Sequence, residues 1–511
     1  MSVLKKNIAA NFGGGVWTGL MNLVFVPLYI HFLGIEAYGL IGIFATLLGM
    51  FALLDMGLSS TLNREMARLS VQEGKSREMR DFVRTLEILY WLAGLLISVA
   101  VIALSPFIAY HWVKAEHLSP QTVQTAIMIM GLAVAFQWPM GFYSGGLMGL
   151  QRQVLLNVIN VVMATFRGLG AVLILWLVSP TVLAFFLWQI VISIVQTGLV
   201  VFFLWRSLPP APEAPHFRLE LLRNIWRFAA GMTGIIVTST ILTQTDKIIL
   251  SRMLSLKVFG YYTLAGVVAM SLCRFIAPVF SATYPRLTNL VALGDKDGII
   301  NLYHKSAQLM SVLILPAALV VALFSKDLLL LWTRSPETAA HTYMLVSLLV
   351  MGTAIWGLIN IPYALQLAYG WTRLSFYVNL VSVLLLVPLI IVLTKWYGVV
   401  GAASVWVMLN IGYLTFDIQI MHRRLLPAEK WRWYVEDVGR PFLAAVVVSS
   451  IGRLVIKSDW SPFLLIASLC LVSGTTLLAA ACAANQLGAV TRFKPFLTRL
   501  RNGAISAAKT L

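Results

Sequence analysis

The chain has 511 residues, of which 59% are hydrophobic and only 11% are charged, and its formal net charge is +18. Because an average soluble domain carries about 25% charged residues, this composition excludes a water-soluble fold of this size. The positive charge would suggest nucleic acid in a soluble protein, but here it matches the excess of Lys and Arg in the cytoplasmic loops of membrane proteins. We therefore expect no nucleic-acid partner.

Apolar runs of about 20 residues recur along the whole chain, the length that crosses a bilayer as a helix. In lipid every backbone polar group needs an internal partner, and a β-barrel would show short alternating segments instead. The N-terminus enters the first span without a signal-peptide cleavage pattern. We predict an all-α polytopic membrane protein with fourteen transmembrane helices, at 8–33, 38–63, 85–110, 122–148, 155–178, 181–205, 229–250, 259–282, 306–324, 341–366, 374–394, 401–421, 441–457 and 463–485.

The basic residues predict the orientation of these spans. With the N-terminus in the cytoplasm, 27 of the 38 Lys and Arg residues fall in cytoplasmic segments, seven fall on the opposite side and four lie inside spans. This bias is the one that positive-inside topology produces. Both termini are then cytoplasmic, and the proline-rich segment 206–228 is a stiff cytoplasmic connector.

Two sequence matches at one offset indicate an internal repeat. Leu33–Gly39 resembles Leu254–Gly260, and Gly149–Arg152 resembles Gly370–Arg373, each pair being 221 positions apart. An offset of six helices gives parallel repeats, and such transporters carry substrate in the cleft between halves. The predicted domains are an N-lobe of helices 1–6 (1–208), a proline-rich linker (209–228), a C-lobe of helices 7–12 (229–424), and helices 13–14 with a basic cytoplasmic tail (425–511).

Several polar side chains lie deep in the predicted spans. An Arg or Lys at a helix centre costs roughly 2.5–3.5 kcal/mol on insertion scales, so it usually faces a cavity or a partner. Arg167 and Asn160 share one face of helix 5, because they are seven positions apart. The predicted cavity-lining, substrate-binding residues are Arg167, Arg274, Lys247, Asn160, Asn22, Thr240 and Gln244.

Other roles for these side chains stay open. Lys247 could snorkel to the external surface or pair with a neighbour. Asn and Thr stripes can form hydrogen bonds between helices instead of binding a ligand. Two further ionisable groups, Arg453 and Asp417, lie near the ends of predicted helices, where snorkelling or surface roles are expected. A cleft lined by cations would suit an anionic group such as a phosphate, which Arg grips with a planar fork of donors.

Asp55 in helix 2 is the candidate for ion coupling, and it has two alternative roles. It could pair with Arg167, or it could be a helix-packing group. The three cysteines show neither metal-ligand spacing nor a disulfide framework. We predict no catalytic residue, no metal site and no cofactor.

Short motifs in the chain resemble those of the Wzx-type polysaccharide and O-antigen flippases, a branch of the MATE and lipid II flippase superfamily. Each motif alone is weak, but their order and spacing extend over about 400 residues. The motifs are Phe32–Gly39, Leu54–Leu58 with Asn63–Glu65, Thr245–Leu250 with Val258–Tyr262, Tyr284–Leu287, Gln366–Gly370 and Tyr397–Ala403.

The resemblance implies two six-helix bundles in a V with helices 13 and 14 outside. It also implies a flippase that moves an undecaprenyl-diphosphate-linked oligosaccharide from the cytoplasmic to the periplasmic leaflet by alternating access, with the head group in a cationic inter-lobe cavity. Coupling to protons, to sodium or to neither stays open. The expected location is the bacterial inner membrane, the expected partners are the lipid-linked substrate, the bilayer and a polysaccharide polymerase or export complex, and a monomer is expected.

Three alternative functions share some of these features. A lipid II flippase shares the fourteen spans and a cationic cavity. A MATE-type ion-coupled drug exporter calls for deep carboxylates, whereas deep cations are at least as numerous here. A membrane glycosyltransferase or polymerase needs positioned acids, bases or a metal, usually on a substantial external loop. The external loops here are short and the seven histidines are scattered, so a transporter is predicted and not an enzyme.

Overall fold

The computed structural model describes residues 3–457 and 459–484, with the backbone alone for 3–5, 8–9, 222–236 and 238–239. The basic tail predicted after the last span begins at 485 and lies outside the described residues. The chain divides into two compact units. Unit 1 contains the described residues of Met1–Leu264 and Val383–Ala402, and unit 2 contains those of Ala265–Ser382 and Ala403–Leu511.

Long helices make up both units. The first half of the chain forms α1 (Val3–Phe51), α2 (Leu58–Leu69), α3 (Ser76–Phe107), α4 (Pro120–Gln137), α5 (Met140–Gly149), α6 (Gln153–Leu177), α7 (Val182–Ser207), α8 (Leu219–Met253) and α9 (Leu256–Ser271). The second half forms α10 (Cys273–Leu293), α11 (Lys296–Leu323), α12 (Ser325–Thr333), α13 (Pro336–Ala368), α14 (Thr372–Gly412), α15 (Ile418–Leu425), α16 (Lys430–Arg432), α17 (Arg440–Val455) and α18 (Pro462–Ala483).

Two of these helices are each interrupted by one glycine with positive φ. Gly34 has φ 80° and ψ 164° inside α1, and Gly398 has φ 61° and ψ −145° inside α14. A side chain with a Cβ rarely adopts this conformation. Each glycine lies where the sequence predicts a short loop between two spans, so each helix supplies two segments with different directions.

The helical segments that could cross a membrane do not correspond one to one with the predicted spans. Eleven continuous helical segments within 3–457 and 459–484 are long and apolar enough to cross a membrane. Two of them, Ala10–Asp55 and Thr372–Leu425, have 46 and 54 residues and contain the glycine kinks. The predicted all-helical polytopic class is confirmed, whereas the count of fourteen stays a prediction.

Two hydrogen bonds attach the end of the proline-rich connector to α3. The Asp81 carboxylate, which is fully buried, accepts a hydrogen bond from the backbone N–H of His216 at 2.9 Å. The Thr85 hydroxyl accepts one from the N–H of Arg218, also at 2.9 Å. Helix α8 then begins at Leu219, ten residues before the predicted start of the seventh span at 229.

A dense apolar core joins five helices of unit 1. Aromatic and branched side chains of α2, α3, α5, α6 and α7 pack in one cluster, which includes the fully buried Tyr143, Phe142 and Leu204. In unit 2, smaller clusters join α11 to α17 and α18, as where Leu319 packs with Ala445 and Ala480. These cores fix the helices that present the polar side chains described next.

Candidate functional site

Arg167 lies at the centre of a hydrogen-bonded network between α6 and α7. Its Nη1 donates to Oε1 of Gln189 at 2.7 Å, and its Nη2 donates to Oε1 of Gln196 at 2.8 Å. Nε2 of Gln196 donates to Oδ1 of Asn160 at 3.4 Å, a longer contact. The two helices are antiparallel, so the seven-residue spacing of Asn160 and Arg167 matches the seven-residue spacing of Gln196 and Gln189.

The network fixes the Arg167 side chain, but it contains no carboxylate that would neutralise the guanidinium charge. All the hydrogen-bond acceptors of the Arg167 side chain are neutral amide oxygens, and within the described residues it forms no ion pair. A guanidinium has five N–H donors, and these contacts use two of them. The structure therefore places a fixed cation in a membrane span, with donors that an anion could still occupy.

Helix α1 packs along the same helix α6. Trp17 Nε1 donates to the hydroxyl of Thr165 at 2.9 Å, and Asn157 Nδ2 donates to Asn11 Oδ1 at 2.5 Å. The polar side chains of Trp17 and Asn11 are thus used in packing between these two helices. Asn22 is different, because its side chain is exposed and forms no hydrogen bond with the described residues. It remains a candidate for contact with a ligand.

The Lys247 side chain bonds to groups of its own helix, α8. Lys247 Nζ donates to the backbone oxygen of Thr243 at 3.0 Å and to Oε1 of Gln244 at 3.2 Å. Gln244 also lies against Gly49 of α1, where a Cβ would contact its side-chain amide at 2.7 Å. Thr240 is half-buried one turn earlier. Of the two alternatives for Lys247, the structure favours pairing with a neighbour.

Asp55 lies at a break in the helical path of the second span. A short 3₁₀ turn ends at Asp55, and Met56 and Gly57 follow with φ of 47° and 71° before α2 begins. The Asp55 carboxylate accepts hydrogen bonds from the hydroxyls of Ser59 and Tyr90. The predicted alternative that Asp55 pairs with Arg167 is therefore wrong in this structure, since the helix break turns the carboxylate towards α3.

The Tyr90 hydroxyl is held in place by stacking. Its ring stacks on Trp138 and Phe142 with centroid distances of 4.7 and 4.6 Å. The Trp138 indole donates to the backbone oxygen of Phe51 at 2.9 Å, so it satisfies one carbonyl near the helix break. This frame fixes the position of the one deep carboxylate predicted to couple an ion.

Arg274 is in unit 2, on α10, and its environment differs from that of Arg167. The residue is exposed, and within the described part of the chain its guanidinium has no hydrogen-bond or ion-pair partner. A cleft of about 200 Å³ opens beside it, between α10 and α13. Its lining is Cys273, Ile276, Ala277, Phe280, Ser281, Trp356 and Asn360.

Two predictions about residues near helix ends are corrected. Asp417 is buried and accepts hydrogen bonds from Nε2 of Gln366 at 3.2 and 3.4 Å, so it has no surface role in this structure. Arg453 pairs with the buried Asp327 at 2.9 Å. Arg453 does lie in the last turn of α17, whereas Asp417 lies inside the continuous helical segment Thr372–Leu425. In each case a neighbouring helix supplies a polar partner that the sequence alone does not place.

A further polar cluster lies at the end of unit 1 where α1 bends, which we call the Gly34 end. The buried Glu36 carboxylate accepts hydrogen bonds from three successive backbone N–H groups, those of Glu116, His117 and Leu118, at 2.7 to 3.3 Å. Successive N–H groups form an anion-binding concavity. Glu36 therefore anchors the segment between α3 and α4 to the bend in α1.

The same segment also contacts the turn between α8 and α9. The backbone oxygen of Lys114 accepts from the N–H of Leu256 at 2.8 Å, and Trp112 Nε1 donates to the Ser251 hydroxyl at 3.0 Å. The Arg252 guanidinium lies over the Trp112 ring, 5.1 Å from its centroid. Residues 112–118 thus join α1 to the α8–α9 turn, and we call them the clasp segment.

Sequence reasoning missed the partners of the predicted residues. Gln189 and Gln196 were not singled out, although they are amides seven positions apart in an otherwise apolar span. That spacing would have identified them as one polar face. Tyr90 gave no such signal, because a tyrosine in an apolar span is more often a packing residue. The role of Glu36 depends on backbone N–H groups, which no sequence pattern marks.

Two family models match the chain. The model described as "Polysaccharide biosynthesis protein" matches residues 4–291, and the model described as "MatE" matches residues 232–392. A Shigella flexneri protein named "Putative O-antigen transporter" is 20% identical over 407 residues, which are 80% of this chain and 94% of that protein.

Solved structures with the same fold are also transporters. The lipid II flippase MurJ in an inward closed conformation superposes with a TM-score of 0.68 at 15% identity, covering 94% of this chain and 99% of that one. An inward-facing multidrug transporter of the MATE family has a TM-score of 0.60 at 13% identity, covering 88% of this chain and 96% of that one. At these identities the likeness establishes the fold.

Proposed function

Because the chain belongs to the polysaccharide biosynthesis protein family, the Wzx-type branch of the MOP superfamily of membrane transporters, we propose that it flips a lipid-linked oligosaccharide across the bacterial inner membrane. The cargo is an undecaprenyl-diphosphate-linked repeat unit of O-antigen or exopolysaccharide, and it moves from the cytoplasmic to the periplasmic leaflet. The family match confirms the resemblance found in the sequence. The transporter relatives confirm the prediction of a transporter and not an enzyme.

One observation supports an anionic head group above all. Arg167 and Arg274 both lie in spans, and neither forms an ion pair within the described residues. A diphosphate can take the unused donors of each guanidinium through strong charge-assisted hydrogen bonds. The predicted residues Lys247, Gln244, Thr240, Asn160 and Asn22 are proposed as further polar contacts.

The deep carboxylates of the spans do not neutralise these two arginines. Asp55, Asp246 and Asp417 each accept a hydrogen bond from a neutral donor, as from Tyr262 to Asp246 at 2.6 Å. Within the described residues none of the three forms an ion pair with Arg167 or Arg274, so both guanidinium charges can act on an anionic head group.

We also propose Asp55 as the residue through which an ion gradient acts. Its carboxylate accepts hydrogen bonds from the Tyr90 and Ser59 hydroxyls. A single carboxylate can take up a proton, whereas a hard metal cation is held by several oxygen ligands. We therefore propose a proton as the coupling ion.

The proposal is tested by reconstituting the protein in proteoliposomes that contain a lipid-diphosphate-linked oligosaccharide. Flipping is measured as the fraction of oligosaccharide that an impermeant lectin reaches with time. We expect a protein-dependent rise for this cargo. Movement of lipid II at the same rate or faster would favour the lipid II alternative, and movement of neither substrate would contradict the proposed cargo.

A further inference from the structure

The cleft beside Arg274 is bordered by one face of α10 and one face of α13. On α10, Arg274, Ala277 and Ser281 follow one another at steps of three and four residues, so they lie on one face of the helix. On α13, Trp356 and Asn360 are four positions apart and share a face in the same way. The cleft therefore presents an indole ring, an amide and a hydroxyl next to a guanidinium.

Aromatic side chains continue from the cleft along the same two helices. Phe280, which lines the cleft, stacks on Tyr284 with ring centroids 5.8 Å apart and on Tyr363 with centroids 6.2 Å apart. We call these three side chains and Trp356 the aromatic row. Ten positions of α10 separate Arg274 from Tyr284, which is about 15 Å along the helix axis. The row is therefore long enough to lie beside more than one sugar ring.

The polar groups of the cleft have hydrogen-bonding capacity that the described residues do not use. Asn360 Nδ2 donates to the backbone oxygen of Trp356 at 2.8 Å, which orients the amide. In the described part of the chain, Oδ1 of Asn360, the Ser281 hydroxyl and the Trp356 indole N–H have no hydrogen-bond partner. Trp356 is also exposed, and no described aromatic ring stacks on it. A ligand in this cleft can therefore contact both a free ring face and free polar edges.

This combination fits a sugar better than an acyl chain or an organic cation. A sugar ring has an apolar C–H face and a hydroxylated edge, so an aromatic ring with neighbouring polar groups matches it. An acyl chain would leave the polar groups and the Arg274 charge without partners in lipid, which is costly. An organic cation would be repelled by Arg274, and no carboxylate is among the described residues that line the cleft.

We propose that the cleft and the aromatic row form a carbohydrate subsite, in which Trp356 stacks on a sugar ring of the cargo while Asn360 and Ser281 bind its hydroxyl groups. The inference rests on the proposed function, because it assigns the sugar part of the same cargo. The first sugar of that cargo is bonded directly to the diphosphate. A guanidinium next to an aromatic platform therefore matches the order of the groups in the cargo.

The subsite is tested by comparing the affinity of the purified full-length protein for two lipids. One is undecaprenyl diphosphate, and the other is the same lipid carrying a short neutral oligosaccharide. We expect the wild type to bind the glycosylated lipid about tenfold more tightly, as one stacked ring contributes. Trp356→Ala should abolish this preference without changing the affinity for the bare diphosphate. Trp356→Phe keeps a ring face and should retain most of the preference.

A matched control is Trp396→Ala, which removes an exposed tryptophan that does not line the cleft. This variant should keep the wild-type preference. Equal affinity of the wild type for the two lipids would overturn the subsite and leave the proposed function standing. Equal weakening of both lipids by Trp356→Ala would also overturn it, because the cleft would then hold the lipid chain. Binding of neither lipid by the wild type would contradict the proposed function, and the subsite with it.

Cys273 provides a second measurement in which the aromatic row is unchanged. It lines the cleft and is half-buried, and serine replaces Cys470 and Cys482 so that Cys273 alone reacts with a water-soluble maleimide. We expect a saturating amount of the glycosylated lipid to slow the labelling of Cys273 severalfold, whereas the bare diphosphate lipid should leave the rate unchanged. Equal labelling rates in the presence of the two lipids would contradict the carbohydrate subsite.

Discussion

The two arginines proposed to bind the head group lie in contrasting environments. Arg167 is fixed by Gln189 and Gln196, and its backbone oxygen accepts from the Trp188 indole at 3.2 Å. Arg274 is exposed beside a cleft and has no partner among the described residues. A fixed cation is pre-organised for an anion, whereas a free one must lose rotamer entropy when it binds. The first should therefore affect both folding and transport, and the second transport alone.

The largest effect is expected for Arg167→Ala. The change removes a cation from the transport path and leaves the buried oxygens of Gln189 and Gln196 without their donor. Each unsatisfied buried acceptor costs about 1–3 kcal/mol, so both the melting temperature and flipping should fall. Thermal unfolding in detergent and flipping in proteoliposomes measure the two. An unchanged melting temperature would show that the network does not support the fold.

Arg274→Ala should reduce flipping without changing stability. Loss of charge-assisted hydrogen bonds worth about 1.5–3 kcal/mol corresponds to a fall of about tenfold or more in cargo affinity. Arg274→Lys keeps the charge but loses the planar fork, so it should recover part of the activity. If Arg274→Ala flips the cargo at the wild-type rate, Arg274 does not bind the head group, and the proposed contrast with Arg167 is wrong.

The sequence predicted the helical class and the deep cations, but it did not predict their partners. Arg167 and Asn160 were placed on one face by their spacing, and the structure brings both to Gln196. Arg274 could not be distinguished from Arg167, because burial and bonding depend on the neighbouring helix. The same limit explains Asp417, which lies inside the helical segment Thr372–Leu425 and accepts hydrogen bonds from Gln366 of α13.

The sequence motifs that carry the family resemblance did not reveal the structural roles of their residues. Glu36 binds the N–H groups of the clasp segment, and Gly39 allows the approach of Leu256. Gly57 supplies a left-handed turn after Asp55. The roles of Glu36 and Gly39 need backbone atoms that lie far away in the sequence, so spacing along the chain does not reveal them.

Asp55→Asn should remove the dependence of flipping on a proton gradient. The amide cannot take up a proton in the physiological range, yet it can still accept from Tyr90 and Ser59, so the fold should be retained. Flipping is compared with and without an imposed pH difference across the vesicle. Ser59→Ala, which keeps the carboxylate, serves as the control and should keep the gradient dependence. A gradient effect that persists in Asp55→Asn would assign coupling to another group.

The smallest effects are expected at the edge of the Arg167 network. Gln196→Ala removes a bond of 2.8 Å to the guanidinium, and a loss of about 1 kcal/mol in stability is expected. Asn160→Ala removes only the 3.4 Å contact and should cost less. The melting temperatures of the two variants, measured side by side, show which substitution causes the larger loss of stability. A larger loss in Asn160→Ala would mean that Asn160 has a role outside this network.

The most direct test of the account is export by a variant that carries both Arg167→Gln and Arg274→Gln. It is expressed in a bacterium that lacks its own flippase for a matching repeat unit. The control neutralises a paired arginine of the spans, with Arg453→Gln and Asp327→Asn together. We predict loss of surface polysaccharide with lipid-linked precursor accumulating inside, at normal protein levels, while the control exports. Normal export by the double arginine variant would contradict the claim that these cations bind the anionic head group.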